Sequence, residues 1–211
     1  MSTTAPERLA VINLKGGAGK STAAGYACST LAEHGRRVLG VDADKRQASL
    51  SHWWKAIAPP WDCIELPADD LDRRLPGIVG DRYDAVVIDT PPTEHGAAIA
   101  LSAARYATHV LVPVAPSAVE FAGLRFTREV LDLAVEQGAE FEHGLLLVKW
   151  RTGASSGPYY TQRGIREGWN VLRPHAPTWE VYIQAVGNPI ERASSTPYGW
   201  AVAELMGLEA A

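Results

Sequence analysis

Short apolar runs alternate along the chain with stretches of helical spacing, and that alternation predicts the main elements. Leu9–Leu14 (LAVINL) reads as a buried strand, ended by Gly16 and Gly17. Lys20–His34 follows, rich in alanine with Leu31 inward, and Gly35 stands where a helix closes in a left-handed turn. Val38–Val41 is a second strand, and Arg46–Ile57 has helical spacing that stops at Pro59-Pro60. Asp84–Asp89 (DAVVID) and His109–Val114 (HVLVPV) give a third and fourth strand. Phe121–Gln137 is an amphipathic helix closed by Gly138, and Leu145–Lys149 is a fifth strand. Uninterrupted apolar strands separated by helices imply a mostly parallel sheet with helices on both faces, a doubly wound α/β fold. No repeat, low-complexity tract or linker interrupts this order, so residues 1–211 read as one domain. Thr152–Tyr160 (TGASSGPYY) is the most loop-like stretch.

Composition narrows the class. Of 211 residues, 46% are hydrophobic and 21% charged, enough apolar material for a core and too much for a disordered chain. Lys plus Arg number 20 against 24 Asp plus Glu, which excludes a uniformly basic nucleic-acid protein and leaves room for a local basic patch. Two cysteines, Cys28 and Cys63, make neither a disulfide framework nor a zinc site. Runs such as Ala85–Ile88 and Leu145–Val148 are too short to span a bilayer, and Met1–Arg8 lacks the apolar core of a signal peptide. The expected setting is the reducing cytoplasm, away from membranes.

The strongest chemical signal follows the first strand directly: Lys15-Gly16-Gly17-Ala18-Gly19-Lys20-Ser21-Thr22. Small residues let backbone N–H groups turn inward on anionic oxygens, and the following helix adds the partial positive charge of its N-terminus. Lys20 would reach the β and γ phosphates of a nucleotide, and the Ser21 hydroxyl would ligate Mg²⁺. The ordinary loop begins with a glycine five places before Gly19; here that place holds Leu14, and an extra lysine, Lys15, follows it. Carboxylates at strand ends support the reading. Asp89 closes an apolar strand, where ligands collect in open α/β sheets. Asp42 and Asp44 end the second strand two residues apart, so both can face one crevice. A lone aspartate in such a place is as often a helix cap or turn residue; three beside a phosphate loop are not.

These boxes, in this order, resemble the ParA/MinD family of deviant Walker A P-loop ATPases. Lys15–Thr22 is similar to the family's phosphate box, Val41–Ser49 to its second box, Tyr83–Pro92 to its Walker B and switch segment, and Leu111–Ser117 to the segment after it. Length and the tail Pro177–Tyr182 look most like the small plasmid-partition ParA, or ParF-like, proteins. The resemblance implies a slow ATPase, cycling between ATP and ADP with Mg²⁺, that dimerises on ATP, rides nonspecific DNA on the nucleoid and answers to a centromere-binding ParB-like adaptor. It gives Lys15 the part of a signature lysine reaching the partner's phosphates across a nucleotide-sandwich dimer. Lys20 acts on the phosphates in cis, Asp44 positions the attacking water, and Ser21, Asp42 and Asp89 form the metal set. Thr90, Pro91 and Pro92 would sense the γ-phosphate.

Two departures stand out. Lys45 replaces the usual proline of the second box, and the strand that ordinarily delivers an adenine-contacting Asn ends Leu147-Val148-Lys149-Trp150. Base contacts are therefore expected near Lys149 or in the segment from Pro177 to Glu180. The same region carries Lys149, Arg151, Arg163, Arg166 and Arg173 against one acid, Glu167, with Tyr159, Tyr160 and Trp169 between them. Such a patch suits salt-dependent contact with DNA backbone; its plainer reading is a solvated helix face. Trp53 and Trp54 read as core or dimer contacts, Cys28 as a small buried hydrophobe, and His95 and His109 have no ligand-spaced partner. Arg73-Arg74 among Asp69, Asp70 and Asp72 reads as a self-compensating solvated stretch. Three other functions compete. A MinD-like positioning ATPase for another cargo would need a basic amphipathic tail for membrane contact, and this chain ends in an acidic one. A biosynthetic ATP-dependent ligase of related fold would need a second substrate pocket. A degenerate scaffold would bind DNA without hydrolysis.

Overall fold

The computed structural model describes residues 5–92, 96–151, 153 and 156–209. Among these described residues seven strands and eight α-helices follow one another: β1 (Glu7–Val11), α1 (Lys20–Glu33), β2 (Val38–Asp42), α2 (Ser49–Ile57), β3 (Asp62–Glu65), α3 (Leu71–Val79), β4 (Ala85–Asp89), α4 (Ala97–Tyr106), β5 (His109–Val114), α5 (Ala118–Glu136), β6 (Glu142–Trp150), α6 (Ser156–Arg166), β7 (Val171–Pro177), α7 (Glu180–Ile183) and α8 (Pro197–Met206). All strands are parallel, in the order β3-β2-β4-β1-β5-β6-β7. Strand β1 therefore lies at the centre, with Val11 level with Asp89 on one side and Leu111 on the other.

The central strands are apolar throughout because both faces are covered. Along β1, Leu9 and Val11 join a core with α1, α2 and α8, while Ala10 and Ile12 join a second core with α3, α4 and α5. Alanines on α1 and α4 let helices approach closely. Gly25 is the extreme case, since Trp53 of α2 lies flat over it and a Cβ there would overlap the ring. Trp53 is accordingly core, with its indole N–H donating to the Asn188 carbonyl at 2.7 Å. Cys28 is fully buried, as a small hydrophobe.

Several elements depart from the pattern-based expectation. Strands β3 and β7 flank the sheet as edges; four half-exposed residues and a run broken by Arg173, Pro174 and His175 carry no apolar signature. Arg73-Arg74 sits on helix α3, whose Leu71, Leu75 and Val79 are buried, so the stretch is amphipathic rather than merely solvated. Helix α6 begins at Ser156, inside the segment expected to be a loop; residues 152, 154 and 155 of that segment lie outside the described residues. Helix α2 starts at Ser49 rather than Arg46, because the Asp44 carboxylate accepts the backbone N–H groups of Arg46 and Gln47 and winds them into a turn. His95 also lies outside the described residues.

Candidate functional site

The C-terminal edge of the sheet carries the site, and the loop from β1 to α1 forms its floor. Asn13 fixes the entry: its amide donates to the Pro113 carbonyl at 2.8 Å, and its Oδ1 accepts the Lys15 N–H at 2.9 Å. The Leu14 N–H donates to Thr127 on α5. Gly17 (φ 75°) and Gly19 (φ 83°) occupy the left-handed region, which only glycine enters without strain, and this turns the loop back over α1. Lys20 is buried and closes the curl, its ammonium donating to the Lys15 carbonyl at 3.1 Å. Burial pulls its pKa down, while the carboxylates of Asp89 and Asp44 hold it charged.

Asp89 lies beneath the loop, 1% exposed. Burial drives its carboxyl pKa upward, opposed by the Ser21 hydroxyl and the Lys20 charge. One of its oxygens, Oδ1, is buried with no hydrogen-bond partner. An unsatisfied carboxylate oxygen beside a serine hydroxyl is an oxygen-donor set suited to Mg²⁺, so Ser21 and Asp89 fit a divalent cation. In Asp42, Oδ1 accepts the Asp44 N–H at 3.0 Å and Oδ2 the Ser51 N–H at 2.9 Å, so both oxygens already brace the second box. Asp44 differs in having only Oδ1 engaged, by the Arg46 and Gln47 N–H groups, so its second oxygen is available to a ligand or water. Thr90, at the end of β4, donates to the Val11 carbonyl at 2.8 Å and ties the switch segment to β1.

Above the buried Asp42 and Asp89, which do not reach its wall, lies a cavity of about 470 Å³ lined by Gly17 to Thr22, Asp44, Gln47, Thr90, Pro92, Lys149, Thr178 and Tyr182. Of the expected residues, Gly17, Ala18, Gly19, Lys20, Ser21, Thr22, Asp44 and Lys149 meet on its wall. Gly16 packs instead toward Pro92, and Pro177 is buried in β7, paired with Trp150, one residue before the lining Thr178. Lys15 points away from the cavity, its ammonium paired with Glu120 of α5 at 2.9 Å. Thr178 comes from the segment expected to contact the base, whereas Gln47, Tyr182 and Glu120 were not singled out, although Ser117 and Glu120 form a readable capping pair, the serine oxygen accepting the Glu120 N–H.

The basic residues at and after the end of β6 are engaged in different ways. Lys149 donates to the Gly17 carbonyl at 2.7 Å, and Arg173 turns to Glu204 on α8. Arg163 of α6 pairs with Glu167, Arg151 and Arg166 are exposed, and Trp169 is buried at the foot of a groove that Arg163 also lines. The structure brings Arg163 together with two arginines of α5. A groove of about 390 Å³ between α5 and α6 is lined by Arg125, Arg128 and Arg163. Arg128 lies 3.7 Å over the Trp169 ring and Arg163 5.4 Å over Phe121. Among the described residues no helix is long and apolar enough to cross a membrane.

Comparison with known proteins agrees with this geometry. Residues 9–170 match the CobQ/CobB/MinD/ParA nucleotide binding domain family. The chain is 32% identical over 188 residues to the maintenance of carboxysome distribution protein A of Gloeobacter kilaueensis, covering 87% of this chain and 79% of that one. In fold it resembles apo McdA of Cyanothece (TM-score 0.76, 18% identity, 96% and 100% of the two chains). It also resembles an AMPPNP-bound putative plasmid partition protein of Borrelia burgdorferi (TM-score 0.71, 15% identity, 96% and 98%). With its phosphate loop, carboxylates and parallel sheet in the same order, this chain belongs to the ParA/MinD branch of that family of nucleotide-binding proteins.

Proposed function

We propose that the protein is a dimerising switch ATPase that positions a cargo over nonspecific DNA. The observation that carries this reading is the division of two lysines across one loop: Lys20 is buried against the cavity, while Lys15 stands outside it on Glu120. A lysine turned away from its own nucleotide site is placed to serve another copy's site. Charge supplied in trans makes the closed dimer depend on the triphosphate and neutralises the charge that develops as the terminal phosphoryl group leaves.

Within one protomer, the N–H groups of Gly17 to Lys20 and the Lys20 ammonium hold the β and γ oxygens. Asp44 offers its free oxygen to the attacking water and accepts its proton. Ser21 and Asp89 would hold Mg²⁺, which would supply positive charge to offset that of the phosphates. Thr90 reports the loss of the γ-phosphate along β4 to Pro91 and Pro92, and the dimer loosens. The arginines of the α5–α6 groove, Arg163 among them, join the exposed Arg151 and Arg166 as the cationic surface for DNA. As for cargo, the carboxysome-distribution name of the 32% identical relative favours positioning of a protein assembly over plasmid partition, with an adaptor that stimulates turnover.

The test is light scattering on the whole chain with a non-hydrolysable ATP analogue and Mg²⁺. A doubling of mass that Lys15→Gln abolishes, with nucleotide binding retained, is the expected result. A single copy under those conditions overturns the reading.

A further inference from the structure

A loop that offers N–H groups to an anion must hold its peptide planes fixed. The Gly17 carbonyl and the Ala18 N–H belong to one such plane, and the freedom of glycine makes it easy to flip. Flipped, it would set an oxygen where the anion needs a donor. Alternate carbonyls of the phosphate loop are tied down against this. The Lys15 carbonyl accepts from the Lys20 ammonium at 3.1 Å, the Gly17 carbonyl from the Lys149 ammonium at 2.7 Å, and the Gly19 carbonyl from the Ala23 N–H at 2.9 Å. Two of these donors belong to the helix that the loop opens. The third comes from β6, 132 residues away in sequence.

The distant donor is the one that need not move when a ligand arrives. Lys20 gives up the Lys15 carbonyl as it turns to the β and γ oxygens, so a brace from outside the loop is what keeps the curl during that exchange. The fold accepts strain to place it. Lys149 has a left-handed backbone (φ 55°), which a residue with a long side chain seldom adopts, and such outliers persist only where their surroundings over-determine them. Here they do. The β6–β7 register shifts between Leu147 and Trp150, the Trp150 carbonyl accepts the Thr178 N–H at 2.9 Å, and the Trp150 ring stacks on His175 with centroids 4.1 Å apart.

We infer that Lys149 is a positioning residue of the phosphate loop, a strut that fixes the Gly17–Ala18 peptide before the phosphates bind. The inference rests on the nucleotide-switch reading and concerns the phosphate chain, which every triphosphate shares. Its test is calorimetric titration of the whole chain, with Mg²⁺, by a non-hydrolysable ATP analogue and by inorganic triphosphate, together with hydrogen exchange of the Ala18 amide in the ligand-free protein. Lys149→Met keeps the stem and removes the donors, Lys149→Arg keeps a cation, and Lys149→Gly suits the left-handed backbone while removing the strut. Lys149→Met should weaken both ligands by the same factor, about tenfold, the lower end of what one charge-assisted hydrogen bond contributes. Exchange at Ala18 should quicken in the same variant. Lys149→Arg should return both affinities to within about threefold of wild type, since a guanidinium keeps the charge and the donors. Lys149→Gly should bind as weakly as Lys149→Met yet melt no lower than wild type. Loss of ATP affinity with inorganic triphosphate spared would put the ammonium on the nucleoside and overturn the assignment. So would loss of both with Ala18 exchange unchanged, which would put it on the phosphates directly, or wild-type affinity in Lys149→Gly. A wild type that binds neither ligand would instead overturn the underlying nucleotide reading.

Discussion

The two halves of the site, on either side of β1, are built by different means. On the β2 and β4 side every functional group arrives on a regular element: Asp44 and Thr90 each stand within two residues of a strand end, and backbone hydrogen bonds brace the carboxylates. On the β6 and β7 side the geometry depends on irregularity, namely a left-handed Lys149, a shifted register and the four-residue helix α7 that brings Tyr182 to the cavity. Phosphate chemistry is the same in any nucleotide and tolerates little displacement, which favours rigid strand ends. Base and partner contacts differ from one protein to the next, and they sit where the backbone can be altered without disturbing the centre.

The largest effect is expected on the regular side. Asp44→Asn removes the proton acceptor but leaves an oxygen for the Arg46 and Gln47 N–H groups, so the turn survives. Turnover should fall by about 10²–10⁴-fold, the usual contribution of a positioned general base. Nucleotide affinity should stay within a few-fold, as single-turnover and equilibrium binding measurements would separate. Normal turnover would remove Asp44 from its role. Lys20→Met should act the other way. It deletes a buried charge that also closes the loop on the Lys15 carbonyl, and nucleotide affinity is expected to drop about 100-fold, in line with the loss of charge-assisted contacts. Calorimetry would report it.

Legibility in the sequence follows the same division. Gly17, Gly19, Lys20 and Ser21 were readable because phosphate binding demands those residue types at fixed spacing, and Asp89 because an apolar strand ends on it. Asp42 reads less plainly, since an aspartate two residues from Asp44 presents the same pattern whether it binds metal or braces the backbone, and its bonds to the Asp44 and Ser51 N–H groups cannot be seen in the sequence. Edge strands β3 and β7 pair on one side only and carry polar, exposed positions such as Asp62, Glu65 and Arg173, so no apolar run marks them. The arginine groove was hidden because Arg125 and Arg128 belong to a helix some 40 residues ahead of Arg163 in sequence, and a window along the chain cannot see a surface assembled from two helices. Lys149 was placed at the nucleotide without its contact, because nothing in Val-Lys-Trp-Arg announces a left-handed residue.

A smaller effect is expected where the halves meet. Glu120 on α5 holds Lys15 at 2.9 Å, and its other oxygen is buried without a partner. Glu120→Gln keeps the size and weakens the hold. The ATP-driven dimer should then form at a several-fold lower protein concentration, since less attraction must be given up before Lys15 crosses; the pair is partly exposed, so about 1 kcal/mol or less is at stake. The double variant Lys15→Gln, Glu120→Gln should behave as Lys15→Gln alone. Sedimentation of the four proteins would show it, and an effect of Glu120→Gln that persists without Lys15 would assign Glu120 a different role.

The smallest effect belongs to the opposite edge of the sheet, which carries no chemistry and so serves as the control for both halves. There Arg37 grips Asp84 at the start of β4 with two guanidinium hydrogen bonds, at 2.8 and 3.0 Å, and adds its backbone N–H at 2.9 Å. These bonds hold the Asp84 carboxyl well below the ordinary carboxylate range. A folded-state pKa below the unfolded one means stability that is present above the unfolded value of about 3.9 and is lost as pH falls through the folded value. Thermal midpoints should therefore decline between about pH 5 and pH 2, and Asp84→Asn should flatten part of that decline. Because the pair is exposed, added salt should shrink the difference between the two proteins. Nucleotide affinity at neutral pH should be the same in both, because Asp84 lies a full strand length from Asp89 and the cavity. A change in affinity would show that the two edges of the sheet are coupled and that the irregular half of the site is not the only part free to vary.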